Sequence, residues 1–182
     1  ASAELLVLDP PRDGLRQLLK RLLIWRVNVV WYAISLFGTA IIVALGIGLY
    51  VLLGGSRASF SDPQPWYVAF IAFPYVLLTS VLGEEIGWRG YALPRLQTRY
   101  SALVASLILG LVWNLWHLPL FAMAGNFHQD LPLSLFLLQS LVLTLLMTWV
   151  YNHTRGSLLM AHLFHTASNV TFFFKDTATT ET

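Results

Sequence analysis

Long apolar runs limit what this chain can fold into more than any other feature of its sequence. Each run is close to the roughly 20 residues that a helix needs to cross hydrocarbon. Backbone groups in lipid must form hydrogen bonds within their own segment, so these runs are predicted to be α-helices. The runs occupy residues 27–53, 66–82, 102–124, 133–150 and 157–174. We therefore expect an all-α fold, a polytopic membrane helical bundle of about five transmembrane helices.

Composition supports the membrane assignment and excludes several classes of protein. Of the 182 residues, 57% are hydrophobic and only 11% are charged, which is more apolar surface than a soluble domain of this length could bury. The chain has no cysteine, which excludes disulfides, thiolate metal sites and cysteine nucleophiles. Its net charge is +2, and its basic residues lie beside the apolar runs. The expected partner is therefore the lipid bilayer and not nucleic acid.

The chain is predicted to form one membrane-embedded domain, residues 1–182. An interfacial amphipathic helix is predicted at residues 12–26, because leucines repeat there at helical spacing on one side and basic residues lie largely on the other. The alternative is a solvated helix that packs on a soluble partner. Residues 27–174 form the predicted bundle. Residues 175–182 are a polar tail that we expect to be artefactual, since the text from Phe172 onward resembles translated sequencing adapter.

The basic residues of the loops predict how the bundle is oriented. Eight of them fall on the side of the amino-terminal segment when the chain crosses five times, and only Arg57 and Lys175 fall on the other. The eight are Arg12, Arg16, Lys20, Arg21, Arg26, Arg95, Arg99 and Arg155. An excess of Lys and Arg marks the cytoplasmic side of a membrane protein. We expect an integral multi-pass protein of a bacterial plasma membrane with a cytoplasmic amino-terminal segment.

Ionisable side chains within the apolar runs indicate a functional site, because each costs roughly 2.5–3.5 kcal/mol on insertion scales. They are Glu84, Glu85, Arg89, His117, His162 and His165, with the amide of Asn169 nearby. Glu85 and Arg89 are four residues apart, which predicts an ion pair on one helix face. Such a pair leaves Glu84 as the carboxylate that can act on a substrate. His165 and Asn169 are also four apart, so both can point at one substrate group.

Helical rise predicts that these groups meet inside the membrane. The second run is expected to continue as helix to about Gln97, which places Glu84 roughly 16 Å from its cytoplasmic end. By the same measure His117 lies roughly 24 Å and His165 roughly 15 Å from that face. A bundle can gather an acid and two imidazoles at such depths into one pocket, with Trp113, one turn before His117, as a wall.

Each of these ionisable residues could instead have a purely structural role. The acidic cluster with its arginine could be an ion pair that locks helices together. His117 could be an interfacial histidine, and His162 could only bond to a neighbouring helix. His128 and His153 are expected to lie in loops and to be solvated.

At these residues the chain resembles the CPBP intramembrane protease family, which includes CAAX prenyl proteases and bacteriocin-processing or Abi proteins. The family pattern is Glu-Glu-x-x-x-Arg, then Phe-x-x-x-His, then His-x-x-x-Asn. Its counterparts here are Glu84, Glu85 and Arg89, then His117, then His165 and Asn169. Trp113 stands where phenylalanine is usual. The similarity covers about residues 15–171, and because members commonly have further membrane helices on both sides, we expect this chain to be truncated.

The resemblance implies an intramembrane endopeptidase that hydrolyses a prenylated CaaX-type tail, a bacteriocin leader or a similar membrane-associated substrate. The implied catalytic residues are Glu84, His117, His165 and Asn169, supported by Glu85, Arg89 and Trp113. Glu84 would act as general base on a water that His117 helps to hold. His165 and Asn169 would donate hydrogen bonds to the tetrahedral oxyanion.

Two alternatives remain open at this point. The favoured mechanism requires no cofactor, but Glu84, His117 and His165 are also the ligand types of a His₂Glu zinc site with an open position for water. The soluble zincin signature His-Glu-x-x-His is absent. The functional alternative is a catalytically silent membrane scaffold or immunity protein of the same fold. The sequence does not predict an oligomeric state.

Overall fold

The computed structural model describes residues 14–55, 65 and 67–176, and within these ranges the regular structure is helical. The α-helices are α1 (Gly14–Lys20), α2 (Val29–Leu52), α3 (Val68–Val76), α4 (Leu82–Glu85), α5 (Leu93–Gln97), α6 (Ala102–Ala122), α7 (Leu133–His153) and α8 (Leu158–Asp176). The all-α polytopic helical bundle predicted from the apolar runs is therefore confirmed. Of the predicted polar tail, residues 175 and 176 belong to α8, and residues 177–182 lie outside the described residues.

Local signals in the sequence account for several helix ends. Asn28 caps α2, because its side chain accepts a hydrogen bond from the Val30 amide at 3.0 Å. Ser101 caps α6 in the same way, with the Val104 amide 3.3 Å away. Pro119 lies in the last turn of α6, and the helix ends three residues later at Ala122.

The segment from α3 to α5 is helical throughout but irregular. Two π-helical turns, Leu77–Val81 and Ile86–Ala92, interrupt it on either side of α4. Its two halves, Val68–Thr79 and Leu82–Gln97, meet at a bend of 44°. The predicted end near Gln97 is confirmed, and the bend lies before the two acids.

Three helices of the described ranges are long and apolar enough to cross a membrane, namely α2, α6 and α7. A fourth crossing results if the bent segment from α3 to α5 spans as one unit. The fifth predicted run forms α8, which is not in this set because histidine, serine and threonine side chains reduce its hydropathy. It packs against α2, α3, α4 and α7, so protein and not lipid surrounds much of it. Length and composition thus support three or four of the five predicted spans.

A buried apolar cluster holds α6, α7 and α8 together. Its members are Trp113, Leu143, Met147, Val150, Met160 and Phe164. Burial of such side chains stabilises the fold by about 1.5–3 kcal/mol each on transfer scales for soluble proteins. The cluster fixes α8 in the middle of the bundle, where its histidines face neighbouring helices.

The predicted amphipathic segment forms α1 and a following 3-10 turn, Arg21–Leu23. Leu18 and Leu22 pack on a second buried cluster that includes Leu93 of α5 and Leu158 of α8. Residues 12 and 13 of the prediction lie outside the described residues. The segment is therefore a short helix fastened to the bundle along one face.

Candidate active site

The backbone of α4 presents the two adjacent acids in different environments. Glu85 is fully buried, while Glu84 is only half-buried. The π-helical turns before and after α4 change which side chains share a face, because each π turn contains more residues than an α turn. Such turns are frequent at functional sites. The local geometry thus directs Glu85 into the protein and leaves Glu84 partly accessible.

Glu85, Arg89 and His165 form a group that we call the buried ionic group. Arg89 Nη1 donates to Glu85 Oε1 at 2.9 Å, which confirms the ion pair predicted from their spacing. His165 Nδ1 lies 2.8 Å from the same oxygen, a contact between α8 and α4 that the sequence did not predict. Glu85 Oε2 and the Nε and Nη2 atoms of Arg89 are buried and have no hydrogen-bond partner within the described residues.

Trp113 of α6 connects the remaining site residues. Its Nε1 donates to Glu84 Oε2 at 2.9 Å. Its ring lies 5.0 Å from the His117 ring and 5.3 Å from the His165 ring, both edge to face, and the Arg89 guanidinium lies 5.5 Å above it. Trp113 is only 4% exposed. The indole is thus more than a wall of the pocket, because it touches four of the predicted site residues.

His117 has a defined tautomer when its ring is neutral. Its Nδ1 lies 2.8 Å from the carbonyl oxygen of Trp113, and a carbonyl can only accept, so Nδ1 carries the hydrogen. The lone pair is then on Nε2. The ring is half-buried and also contacts Trp116 and Phe136. A neutral His117 can therefore accept a hydrogen bond through Nε2.

His128 corrects a prediction, since it was expected to be solvated and is only 7% exposed. It lies in a 3-10 turn, Phe127–Asp130, where tertiary packing and not local sequence decides burial. Its Nδ1 is 2.7 Å from Asn126 Oδ1, and its ring is 6.0 Å from that of His117. Burial lowers the pKa of His128, and positive charge on His117 lowers it further. We call Glu84, Trp113, His117 and His128 the aromatic group.

His153, His162 and Asn169 lie outside the two groups described above. His153 is exposed as predicted, although it is the last residue of α7 and its ring stacks on Trp31. His162 is 2% exposed, with Nδ1 2.5 Å from Leu158 O and Nε2 3.2 Å from Leu82 O. This is the bond to a neighbouring helix that its structural interpretation predicted. Asn169 is half-buried one turn beyond His165.

The residues as arranged do not form a ready metal site. Within the part of the chain that the structure describes, no three His, Asp or Glu side chains converge closely enough to hold an ion. His165 Nδ1 and His117 Nδ1 are engaged with Glu85 and a backbone carbonyl, respectively. The arrangement does combine a partly accessible carboxylate, a histidine lone pair and buried donors, which are the parts needed for water activation.

Comparisons with known proteins agree with the motif pattern. Residues 64–171, more than half of the chain, match the model of the type II CAAX prenyl endopeptidase Rce1-like family. The chain is also similar to CAAX prenyl protease 2 of Methanococcus maripaludis, with 34% identity over 137 residues. That similarity covers 71% of this chain and 51% of the relative, so the chain spans about half the length of this curated protein. The chain belongs to the type II CAAX prenyl endopeptidase Rce1-like family.

Proposed function

We propose that this chain is a membrane-embedded endopeptidase that hydrolyses a peptide bond of a membrane-associated protein or peptide. The observation that supports the proposal is that two adjacent acids lie in different environments. Glu85 is fully buried and ion-paired, whereas Glu84 is half-buried and receives a hydrogen bond from Trp113. Family membership and the name of the relative, CAAX prenyl protease 2, support a peptidase.

Glu84 acts as the general base in this mechanism. It takes a proton from water while the water oxygen forms a bond to the substrate carbonyl carbon. The proton then passes from Glu84 to the amide nitrogen as the carbon–nitrogen bond breaks, so an acid and an amine leave. His117 holds the water through Nε2, since its Nδ1–H is donated to Trp113 O. A positioned acid–base group of this kind contributes about 10²–10⁴ in rate.

His165 and Asn169 stabilise the tetrahedral oxyanion in this mechanism. His165 donates its Nδ1–H to Glu85, so it can donate from Nε2 only as the imidazolium. Loss of one oxyanion donor costs about 10²–10³ in rate. Glu85 and Arg89 are positioning residues here, because they act through His165 and the helix backbone and not on the substrate.

The substrate that we favour is a prenylated CaaX-type tail, because the relative bears that name. A bacteriocin leader or another membrane peptide would fit the same chemistry. We also propose that the amino-terminal segment is cytoplasmic and that the membrane is a bacterial plasma membrane. Because the chain has no cysteine, single cysteines placed in its loops and labelled from one side can test the orientation.

The decisive assay follows cleavage by mass spectrometry after the full chain is reconstituted in vesicles. The substrates are a farnesylated CaaX peptide, its unprenylated twin and a bacteriocin leader peptide. Glu84→Gln is expected to lower the rate about 10²–10⁴-fold. Asp130→Asn makes the same chemical change at an exposed loop carboxylate and is the matched control. Full processing by Glu84→Gln would remove Glu84 from the mechanism, and inertness of the unaltered chain toward every peptide would favour a silent scaffold.

Chelation separates the proposed mechanism from the zinc alternative. The expected result is that purified protein contains no stoichiometric metal and keeps its activity after treatment with a strong chelator. A metal that activates water supplies several kcal/mol of transition-state stabilisation, so its removal would abolish cleavage. Loss of activity that zinc restores would favour the ligand set Glu84, His117 and His165.

A further inference from the structure

A shallow groove runs along the exposed side of α1 and the 3-10 turn that follows it. The groove has a volume of about 480 Å³, and its lining residues are Arg16, Leu19, Lys20 and Leu23. These positions follow i, i+3, i+4 and i+7 spacing, so they share one helix face. Leu19 is 43% exposed and Leu23 is 74% exposed. The groove therefore combines an apolar floor with two cationic side chains.

The opposite side of the same segment is fastened to the bundle. Leu18 approaches the backbone so closely that a Cβ added to Gly90 would lie 3.3 Å from its Cδ1. Ser157 Oγ donates to the carbonyl of Ile24 at 2.7 Å, and Arg21 hydrogen-bonds to the Tyr151 hydroxyl. The groove is consequently held facing outward.

Positive charge around the groove has no acidic partner in the described part of the chain. Among the described residues, neither Arg16 nor Lys20 forms an ion pair, and the ion pairs of Glu85 lie inside the bundle. Asp130 and Asp176 lie at the ends of α7 and α8 that are remote from the connection joining these two helices, on which α1 packs. The exposed basic residues near the groove are Arg16, Lys20, Arg26 and Arg155. Their charge favours an anionic occupant.

The groove lies close to the expected membrane interface, which favours a lipid as its anionic ligand. Trp25 and Arg26 separate it from α2, the first membrane span of the described residues, and Trp25 is 58% exposed, as is typical of an anchor at the membrane interface. Basic residues at this level attract anionic lipid headgroups. We propose that the groove binds one anionic phospholipid, with its phosphate at Arg16 and Lys20 and an acyl chain along Leu19 and Leu23. This binding does not depend on the proposed peptidase activity.

Native mass spectrometry of the full chain in neutral detergent tests the proposal. Phosphatidylglycerol and phosphatidylcholine of the same chain length are titrated in parallel, and the unaltered chain is expected to bind the first more tightly. The double variant Arg16→Gln/Lys20→Gln is expected to bind phosphatidylglycerol about 30-fold more weakly. The matched control Arg95→Gln/Arg99→Gln removes two exposed charges that do not line the groove and is expected to keep the affinity. Circular dichroism verifies that each variant remains folded.

Three outcomes would overturn the proposal. Equal losses in the groove variant and the control would indicate diffuse attraction by net charge and no site. Equal affinity for phosphatidylcholine would remove the role of the headgroup charge. Displacement of phosphatidylglycerol by soluble glycerol phosphate at matched concentration would show that the apolar floor contributes nothing. The proposal predicts that glycerol phosphate does not displace the lipid.

Discussion

The buried ionic group and the aromatic group meet at α4, and they differ in how the carboxylate in each is stabilised. In the buried ionic group, the Glu85 carboxylate lies within 3 Å of Arg89 and His165 and is shielded completely. In the aromatic group, the Glu84 carboxylate receives an indole N–H and remains only half-buried. The two acids are neighbours in sequence, so the chemistry of each follows from what surrounds it.

That difference gives Glu85 a structural role and Glu84 a reactive role. A buried ion pair is strongly destabilising to break, because the remaining charge is left in a low-dielectric surrounding. A carboxylate that no water can reach cannot act as a base on water. We therefore expect changes at Glu85 and Arg89 to affect mainly stability, and changes at Glu84, Trp113 and His117 to affect mainly turnover.

The largest stability effect is expected for Arg89→Met. Methionine keeps an aliphatic side chain in place of arginine but removes the guanidinium. The Glu85 carboxylate then has His165 as its remaining partner. Removal of one partner of a buried pair costs about 3–5 kcal/mol. Denaturant or thermal unfolding of the reconstituted protein measures the loss. Arg99→Met, at an exposed position, is the control and should change stability by less than about 0.5 kcal/mol. Equal effects of the two variants would contradict the distinction between the groups.

A smaller effect, on turnover, is expected for Trp113→Phe. Phenylalanine retains a ring that can pack against Arg89 and His165 but lacks the N–H that Glu84 accepts. A hydrogen bond to a charged group is worth about 1.5–3 kcal/mol, so kcat should fall about 10- to 100-fold. We expect KM to change little, because the substrate-binding surface remains. Trp149→Phe removes an indole N–H outside the site and should leave kcat unchanged; a loss confined to KM in Trp113→Phe would contradict a positioning role.

The smallest effect is a pH dependence that comes from His128. Because burial lowers its pKa below the ordinary value of 6.5, the unfolded chain binds the proton more tightly than the folded chain. The free energy of unfolding should therefore fall as the pH drops below about 6.5. His128→Phe removes this contribution and should flatten the fall between pH 7.5 and pH 5.5, as unfolding curves would show. Identical slopes for the two proteins would exclude His128 as a source of the dependence.

The spacing of residues along the sequence predicted the ion pair of the site correctly. Four-residue separation predicted the pairing of Glu85 with Arg89, and the structure gives 2.9 Å between their atoms. Helical counting predicted that acids and imidazoles from separate helices meet. It could not predict that His165 contacts Glu85, because the rotation of one helix against another depends on packing and on the π-helical turns.

Tertiary packing explains the remaining differences between sequence and structure. His128 is flanked by loop residues, yet the rings of Phe121, Phe127 and Phe136 enclose it. The run that forms α8 reads as a span because of its leucines and phenylalanines, but its polar residues face neighbouring helices. The periodicity of one segment does not indicate which other helices or loops that segment packs against.

Comparison of Glu84→Gln with Glu85→Gln tests whether the two adjacent acids have separate roles. Both variants replace a carboxylate with an amide of the same shape, one residue apart, and each is measured for peptide cleavage and for thermal unfolding in the same vesicles. We expect Glu84→Gln to unfold like the unaltered protein but to cleave no longer, whereas Glu85→Gln should unfold at a clearly lower temperature. A Glu84→Gln protein that cleaves at the normal rate, or a Glu85→Gln protein of unchanged stability, would contradict these separate roles.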